Sequence, residues 1–161
     1  MVIILFGVSG AGKTTIGRLL AADLGWKFYD GDQFHSASNI EKMRRGVALT
    51  DADRQPWLDS LRTLIMRCIA AKQDAVLACS ALRETYRRYL RASSGVKLVY
   101  LKAAYSLIEE RLRARHEHFM DPALLRSQFE TLEPPQGDAV EIEAEGAPEE
   151  LVARIRGALQ I

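Results

Sequence analysis

Only two cysteines, Cys68 and Cys79, occur in the 161 residues, and their spacing suits no metal site. One falls in a predicted helix and the other ends a predicted strand, so both read as small buried hydrophobes rather than a disulfide. An excess of charge of one sign is also missing. The formal net charge is +1, which gives no general pull toward nucleic acid or an anionic membrane and makes nucleic acid a poor partner. No apolar run approaches the roughly 20 residues that span a bilayer. An apolar strand predicted from Val2 is expected to leave no place for a secretory leader. Internal repeats, low-complexity tracts and long linkers are absent too. These absences predict a single domain over residues 1–161, kept in a reducing cytoplasm.

What is present is an alternation of strands and helices. Hydrophobic residues make up 48% of the chain, enough for a sizeable core. Val2-Ile3-Ile4-Leu5-Phe6 is a continuous apolar run closed by Gly7, as suits a central parallel strand buried on both faces. Residues 15–24 read as a helix with Ile16, Leu19, Leu20 and Leu24 facing inward and Gly25 stopping it. Further strands are predicted over residues 26–30, 75–79, 96–101 and 140–142. Ser38 and Glu41 read as a capping box opening a short helix that Gly46 ends. Helices follow over residues 53–72, irregular at first because of Pro56, and over 82–91 and 106–115. Two more begin at Pro122, behind an Asp121 N-cap, and at Pro148. This order predicts an α/β fold with a doubly wound, five-stranded parallel sheet flanked by helices.

The segment Gly7-Val8-Ser9-Gly10-Ala11-Gly12-Lys13-Thr14 matches G-x-x-x-x-G-K-[ST]. A buried strand enters it and an amphipathic helix leaves it, which an ordinary glycine turn with a surface lysine would not require. Glycines let the backbone turn tightly and aim N–H groups at phosphate oxygens, and the helix N-terminus adds to that anion site. Lys13 is then expected to reach the terminal phosphates of ATP, the Thr14 hydroxyl to ligate Mg2+, and Thr15 to complete the nucleotide site.

The third strand ends Ala78-Cys79-Ser80-Ala81, with no acid to help hold magnesium, and no Asn-Lys-x-Asp segment exists to read guanine. A GTP switch is therefore disfavoured. Acids follow the second strand instead, as Asp30-Gly31-Asp32. Gly31 allows an abrupt bend at a strand's carboxyl end, where ligands bind in open α/β sheets. One carboxylate at that spacing can hold magnesium through water while the other accepts a proton from a substrate hydroxyl. A plain polar turn is the other reading of these residues. Arginine greatly outnumbers lysine; its rigid fork suits carboxylates and phosphates, although a genome rich in G and C would leave the same mark.

More specific are Asp30-Gly31-Asp32-x-x-His35, Asn39-Ile40-Glu41-Lys42-Met43 and Leu49-Thr50-Asp51-Ala52-Asp53-Arg54-Gln55-Pro56-Trp57-Leu58. Cys79-Ser80-Ala81-Leu82-Arg83, Tyr86-Arg87, Arg111-Leu112-x-x-Arg115, His118-Phe119 and Gln128-Phe129-Glu130-x-Leu132-Glu133 join them. In these segments, and over nearly its whole length, the chain resembles the gluconate kinases, relatives of the shikimate-kinase group. The resemblance implies ATP-dependent phosphorylation of D-gluconate to 6-phosphogluconate. It also implies a nucleoside-monophosphate-kinase-like fold with a small mobile lid near residues 115–121, and a homodimer. It assigns Asp30, with Thr14, to magnesium and Asp32 to the attacking hydroxyl. It sets Arg111 against adenine, Arg115 over the phosphates and Arg54 toward substrate oxygens, so that Lys13, Asp32 and Arg115 form the catalytic set. Ala11, Ala48 and Arg83 stand where the family often has serine, proline and lysine, and the segment over residues 135–139 is short.

Other side chains carry two readings each. His35, Asn39, Lys42, His118 and Gln128 can bind substrate hydroxyls or the carboxylate, or serve structural hydrogen bonds. For Arg54 the lesser alternative is a solvated charge at a helix start, next to Asp53. Arg83, Arg87 and Arg91 share a helical face; Arg91 reads as solvated, while Arg83 and Arg87 are open to either substrate or solvent. Trp57 reads as core packing before sugar platform, and His116 receives no role. Two rival functions stand beside the gluconate kinase: a kinase for another small hydroxy acid such as shikimate, and a non-catalytic nucleotide-binding regulator.

Overall fold

The first five apolar residues after Met1 form β1, Val2–Phe6, and all five are buried. In the computed structural model, which describes residues 1–114 and 121–161, this strand is the middle of the sheet. β2 is Lys27–Asp30, β3 Ala75–Ala78, β4 Val96–Lys102 and β5 Val140–Glu143. The expected sheet is present: five strands in the order β2-β3-β1-β4-β5, every neighbouring pair parallel. Register aligns Asp30 with Ala78, and Ala78 with Leu5, so the carboxyl ends of β2, β3 and β1 finish at one level. That level carries the site.

Side chains alternate across a strand with period two, and β1 divides its residues accordingly. Ile3 and Leu5 join one core cluster with Ile16, Leu20, Ile108 and Ile155. Val2, Ile4 and Phe6 join a second with Trp57, Leu61, Ile65, Tyr86 and Leu90. The first layer is made by α1 (Lys13–Leu24), α5 (Tyr105–Ala114) and α7 (Pro148–Leu159). The second is made by α3 (Asp51–Ala70) and α4 (Glu84–Leu90). Two helices border the cleft: α2 (Ala37–Arg44) and α6 (Pro122–Thr131), the latter behind its expected Asp121 cap. Cys68 and Cys79 are both buried and free. Among the described residues, no helix is long and apolar enough to cross a membrane.

Several helix starts differ from expectation: α1 begins at Lys13 rather than residue 15 and α4 at Glu84 rather than residue 82, and two more differ in their caps. α2 is capped by Ser36, whose Oγ accepts from the Asn39 N–H at 3.1 Å, leaving Ser38 and Glu41 inside the helix. Glu41 pairs instead with Arg44 and Arg45. α3 begins at Asp51 rather than residue 53, because Thr50 and Asp53 form a reciprocal capping box. Pro56 lies inside this helix without breaking it. It cannot donate to the Ala52 carbonyl, but Ala52 is exposed and water can replace that bond.

Between β2 and α2 the chain makes a 3-10 turn, Gly31–Phe34, capped by Asp30, whose Oδ1 accepts from the Asp32 N–H at 3.0 Å. A Cβ on Gly31 would lie 2.7 Å from the Ala78 carbonyl oxygen and 2.7 Å from the Cys79 Cβ. Glycine is needed here for close approach to the end of β3, not for a left-handed bend. Overpacking against backbone commonly costs about 1–3 kcal/mol. Gly31→Ala is therefore expected to lower the thermal midpoint by that equivalent and to reduce turnover by moving Asp30 and Asp32. Calorimetry and steady-state kinetics on the variant check both effects.

Candidate active site

The glycine-rich loop runs from the end of β1 into α1. Gly12 is the N-cap of α1 at φ 97°, a left-handed conformation open to glycine at little cost, and no side chain caps the helix. The first N–H groups of α1 are thus available to an anion. Lys13 curls back, its Nζ donating to the Val8 carbonyl at 2.8 Å. Burial pushes its ammonium pKa down, and the nearby Asp32 and Asp30 charges oppose that shift. A cleft of about 540 Å³, including its open mouth, is walled by Ser9, Gly10, Gly12, Lys13, Thr14, Thr15, Asp30 and Asp32.

Those walls match a magnesium–polyphosphate group. The loop supplies backbone N–H groups and one ammonium. Thr14 and Asp30 supply hard oxygen donors of the kind Mg2+ takes while sharing phosphates and keeping water. Among the described residues, no cluster of three or more His, Cys, Asp or Glu side chains would hold a metal by itself.

A second cleft, about 670 Å³ including its open mouth, adjoins the first. Ser9, Lys13 and Asp32 belong to both. Its further walls include His35, Arg54, Trp57, Ser80, Ser127 and Gln128, with Met43, Leu49, Leu82 and Leu124 as apolar lining. Trp57 is 2% exposed and donates from Nε1 to the Gly31 carbonyl at 2.8 Å. Its ring also stacks on His35, at 4.5 Å between ring centroids and 10° between planes. It is core and cleft wall together. The Asn39 Nδ2 lies 3.4 Å from the His35 Nδ1. An amide nitrogen can only donate, so this contact leaves the imidazole proton on Nε2. Burial lowers the His35 pKa, with the Arg54 charge acting the same way against the opposing Asp32. A neutral imidazole donor thus stands beside Asp32.

Several expected substrate groups are used elsewhere. Arg87 is the plainest correction. It is 1% exposed, and its guanidinium donates to the carbonyls of Ala81, Leu82 and Glu133 at 3.0, 2.9 and 2.8 Å. Its Cζ lies over the Phe6 ring, 4.8 Å from the centroid. Only its Nε lacks a partner among the described buried side-chain atoms. It ties the loop after β3 to the chain following α6, out of reach of a substrate. Asn39 is 4% exposed and donates to the Asp53 carbonyl at 2.8 Å. Lys42 donates to both Asp53 oxygens at 2.8 and 2.9 Å, which with the Thr50 bonds holds the Asp53 pKa at about 2. Asn39 and Lys42 therefore fasten α2 to α3 behind His35 and do not line the cleft.

Gln128 does line it, and its Oε1 accepts from the Ser9 N–H at 2.7 Å, so α6 touches the phosphate loop directly. Arg111 donates to the Gly10 carbonyl at 3.2 Å and the Ala144 carbonyl at 2.6 Å, bracing the loop against the end of β5. Arg54 donates to the Tyr86 hydroxyl at 3.1 Å, and Arg83 pairs with Asp51 at 3.5 Å. Tyr86 and Asp51 had drawn no assignment from sequence reasoning. Helical spacing put Arg83, Arg87 and Arg91 on one face, whereas the buried residues of α4 are Tyr86, Arg87 and Leu90. The only available signal was that Asp51 and Tyr86 fall in the segments carrying the family resemblance. Arg115, His116 and His118, and with them nearly all of the expected lid, lie outside the described residues.

Comparison with known proteins agrees with this geometry. The family model described as shikimate kinase matches residues 9–155. A probable gluconokinase of Mus musculus is 42% identical, aligned over 99% of this chain and 97% of its own length. The thermosensitive gluconokinase of Escherichia coli K12 is 46% identical over 86% of this chain and 75% of its own. The crystal structure of a gluconokinase from Sinorhizobium meliloti 1021 superposes with a TM-score of 0.85 at 37% identity, covering 98% of this chain and 94% of that one. With the phosphate loop, the acids after β2 and matches spanning almost the full length, the chain belongs to the gluconokinases, within the shikimate-kinase family.

Proposed function

We propose that this chain phosphorylates D-gluconate at its 6-hydroxyl with ATP, giving 6-phospho-D-gluconate and ADP. The observation that carries this reading is the wall shared by the two cavities. Lys13 and Asp32 face both the phosphate cradle and the neighbouring cleft. An acceptor hydroxyl in the cleft therefore meets the terminal phosphate where a base and an ammonium already stand.

The chemistry then falls to these residues in turn. Asp32 accepts the proton of the 6-hydroxyl as its oxygen bonds to the terminal phosphorus. The bond from that phosphorus to the bridging oxygen breaks, and its electron pair leaves on ADP. Lys13 and the loop N–H groups stabilise the charge on the migrating group, the main catalytic task in phosphoryl transfer. Thr14 and Asp30 would hold Mg2+, which when bound neutralises charge along the phosphates. Arg111 holds its carbonyls along the guanidinium edge and offers a flat face to adenine. His35 donates from Nε2 to the polyol, and Arg54, with Arg83 close by, meets the carboxylate. Placing base and cation together favours a kinase over a nucleotide-binding regulator, and the likeness to gluconokinases favours gluconate over shikimate. A cytoplasmic homodimer belongs to the same proposal and is supported by the family resemblance.

A coupled assay for ADP release on gluconate, shikimate and glucose tests the reading. Sites built around polar substrate groups reject analogues lacking them by large factors, on the order of 10⁴ in favourable cases. Gluconate is expected to be strongly preferred; equal rates on glucose would remove the argument from the arginines. Lys13→Ala is expected to leave less than about a tenth of the activity with a thermal midpoint close to the parent, since the loop lysine serves the ligand. Asp32→Asn should lower kcat by about 10²-fold or more while MgATP still binds, the loss typical of a general base. Asp30→Asn should instead raise the magnesium concentration needed. Identical magnesium dependence of the two aspartate variants in titration calorimetry would refute this division of roles.

A further inference from the structure

Arg54 is held by two residues, Tyr86 and Asp51, to which the reaction just described gives no role. The Tyr86 hydroxyl donates to Asp51 Oδ1 and accepts from Arg54 Nη1 at 3.1 Å. Arg54 and Asp51 are themselves 4.0 Å apart, too far for a direct hydrogen bond, so the phenol bridges them. A phenol has one proton. With that proton committed to Asp51, the remaining lone pairs must face Arg54. The Tyr86 ring is 6% exposed and packed in the core cluster beneath α3 and α4, so its hydroxyl is fixed by the fold. Burial and the bond to Asp51 both push the Tyr86 pKa up, keeping the proton available.

The second oxygen of Asp51 pairs with Arg83 at 3.5 Å. One carboxylate thus sets two guanidinium groups, and this cluster retains one unbalanced positive charge. That surplus is the complement of a single sugar-acid carboxylate. Among the described residues, the Arg54 guanidinium hydrogen-bonds only to Tyr86, while its side chain lines the cleft. Its other donors are free to make the bidentate contact that carboxylates favour.

We infer that Tyr86, oriented by Asp51, is a positioning and specificity residue that aims Arg54 at the carboxylate of the acceptor. The inference rests on the sugar-acid reading of this cleft. Neither side chain needs to touch the substrate. Their effect is to hold one arginine in the geometry that tells an acid from a neutral sugar.

The test compares Tyr86→Phe, Asp51→Asn and the double variant with the parent. Phenylalanine keeps the packed ring and removes only the hydroxyl. Asp51 is exposed at a helix start, so Asp51→Asn remains informative should Tyr86→Phe fold poorly. Loss of a hydrogen bond to a charged group predicts a rise of about 10-fold in KM for gluconate, with kcat changed less than about threefold and KM for ATP unchanged. The ratio of kcat/KM on gluconate to that on glucose should fall by the same factor. The double variant should be no worse than the poorer single one, because both act through Arg54. A gluconate KM within twofold of the parent in both single variants overturns the inference. So does an equal rise in the KM values for gluconate and ATP, which marks a purely structural role. If the parent prefers a different acid, the gluconate reading fails and the same comparison on that acid still decides the role of Tyr86. A parent active on no acid overturns both.

Discussion

The contact between Gly31 and the end of β3 determines where nearly every group of the acceptor site lies. A glycine at that position lets the turn after β2 press against the Ala78 carbonyl and Cys79. Asp30 and Asp32, one residue to either side, are thereby brought next to the loop that follows β1. The Gly31 carbonyl also receives the Trp57 indole, and the indole face supports His35. A single close approach of backbone to backbone therefore fixes Asp32, Asp30, the cleft wall and the imidazole donor together. Because α3 carries both Trp57 and Arg54, the same contact indirectly registers the arginine against the loop.

Much of this was legible beforehand, for local reasons. A five-residue apolar run followed by glycines and Lys-Thr has few structural solutions, and the order of strands and helices leaves a parallel sheet as the natural one. The helix starts were harder, because several serine and threonine residues near residues 36–50 compete to cap and only packing chooses among them. Ser36 and Thr50 win because their helices must meet through Asn39, Lys42 and Asp53. That is tertiary information. Trp57 could be read as core or as cleft, and is both, since a large ring can be buried on one edge and wall a ligand space on the other.

Arginines were the least legible group, for a physical reason. Arg54, Arg83, Arg87 and Arg111 look alike in sequence, yet they perform four different tasks. Arg87 occupies a core slot that periodicity would give to an apolar side chain. Burial opposes its charge, and three backbone carbonyls with an aromatic face make the burial tolerable. Planarity matters there, since lysine could not fork toward three carbonyls as the guanidinium does. Arg111 uses similar carbonyl bonds to brace the phosphate loop. Arg54, which lines the cleft, has a phenol as its partner, and Arg83 has a carboxylate. Which of these fates an arginine meets depends on the carbonyls and acids that other segments bring to it.

Cys79 lies at the floor of this site, directly under Gly31 and beside Lys13. Burial, with smaller contributions from the charges of Asp32 and Asp30, pushes its thiol up to about 12 against the opposing effect of Lys13. Reaction with peroxides, disulfides and alkylating agents proceeds through the thiolate, which at neutral pH would be only about 10⁻⁵ of such a group. Its neighbours also leave no open path to the sulfur. A sulfur atom next to the phosphate loop is thus chemically silent while the protein stays folded. Turnover should persist without added reductant, and thiol reagents become a probe of unfolding rather than of the site.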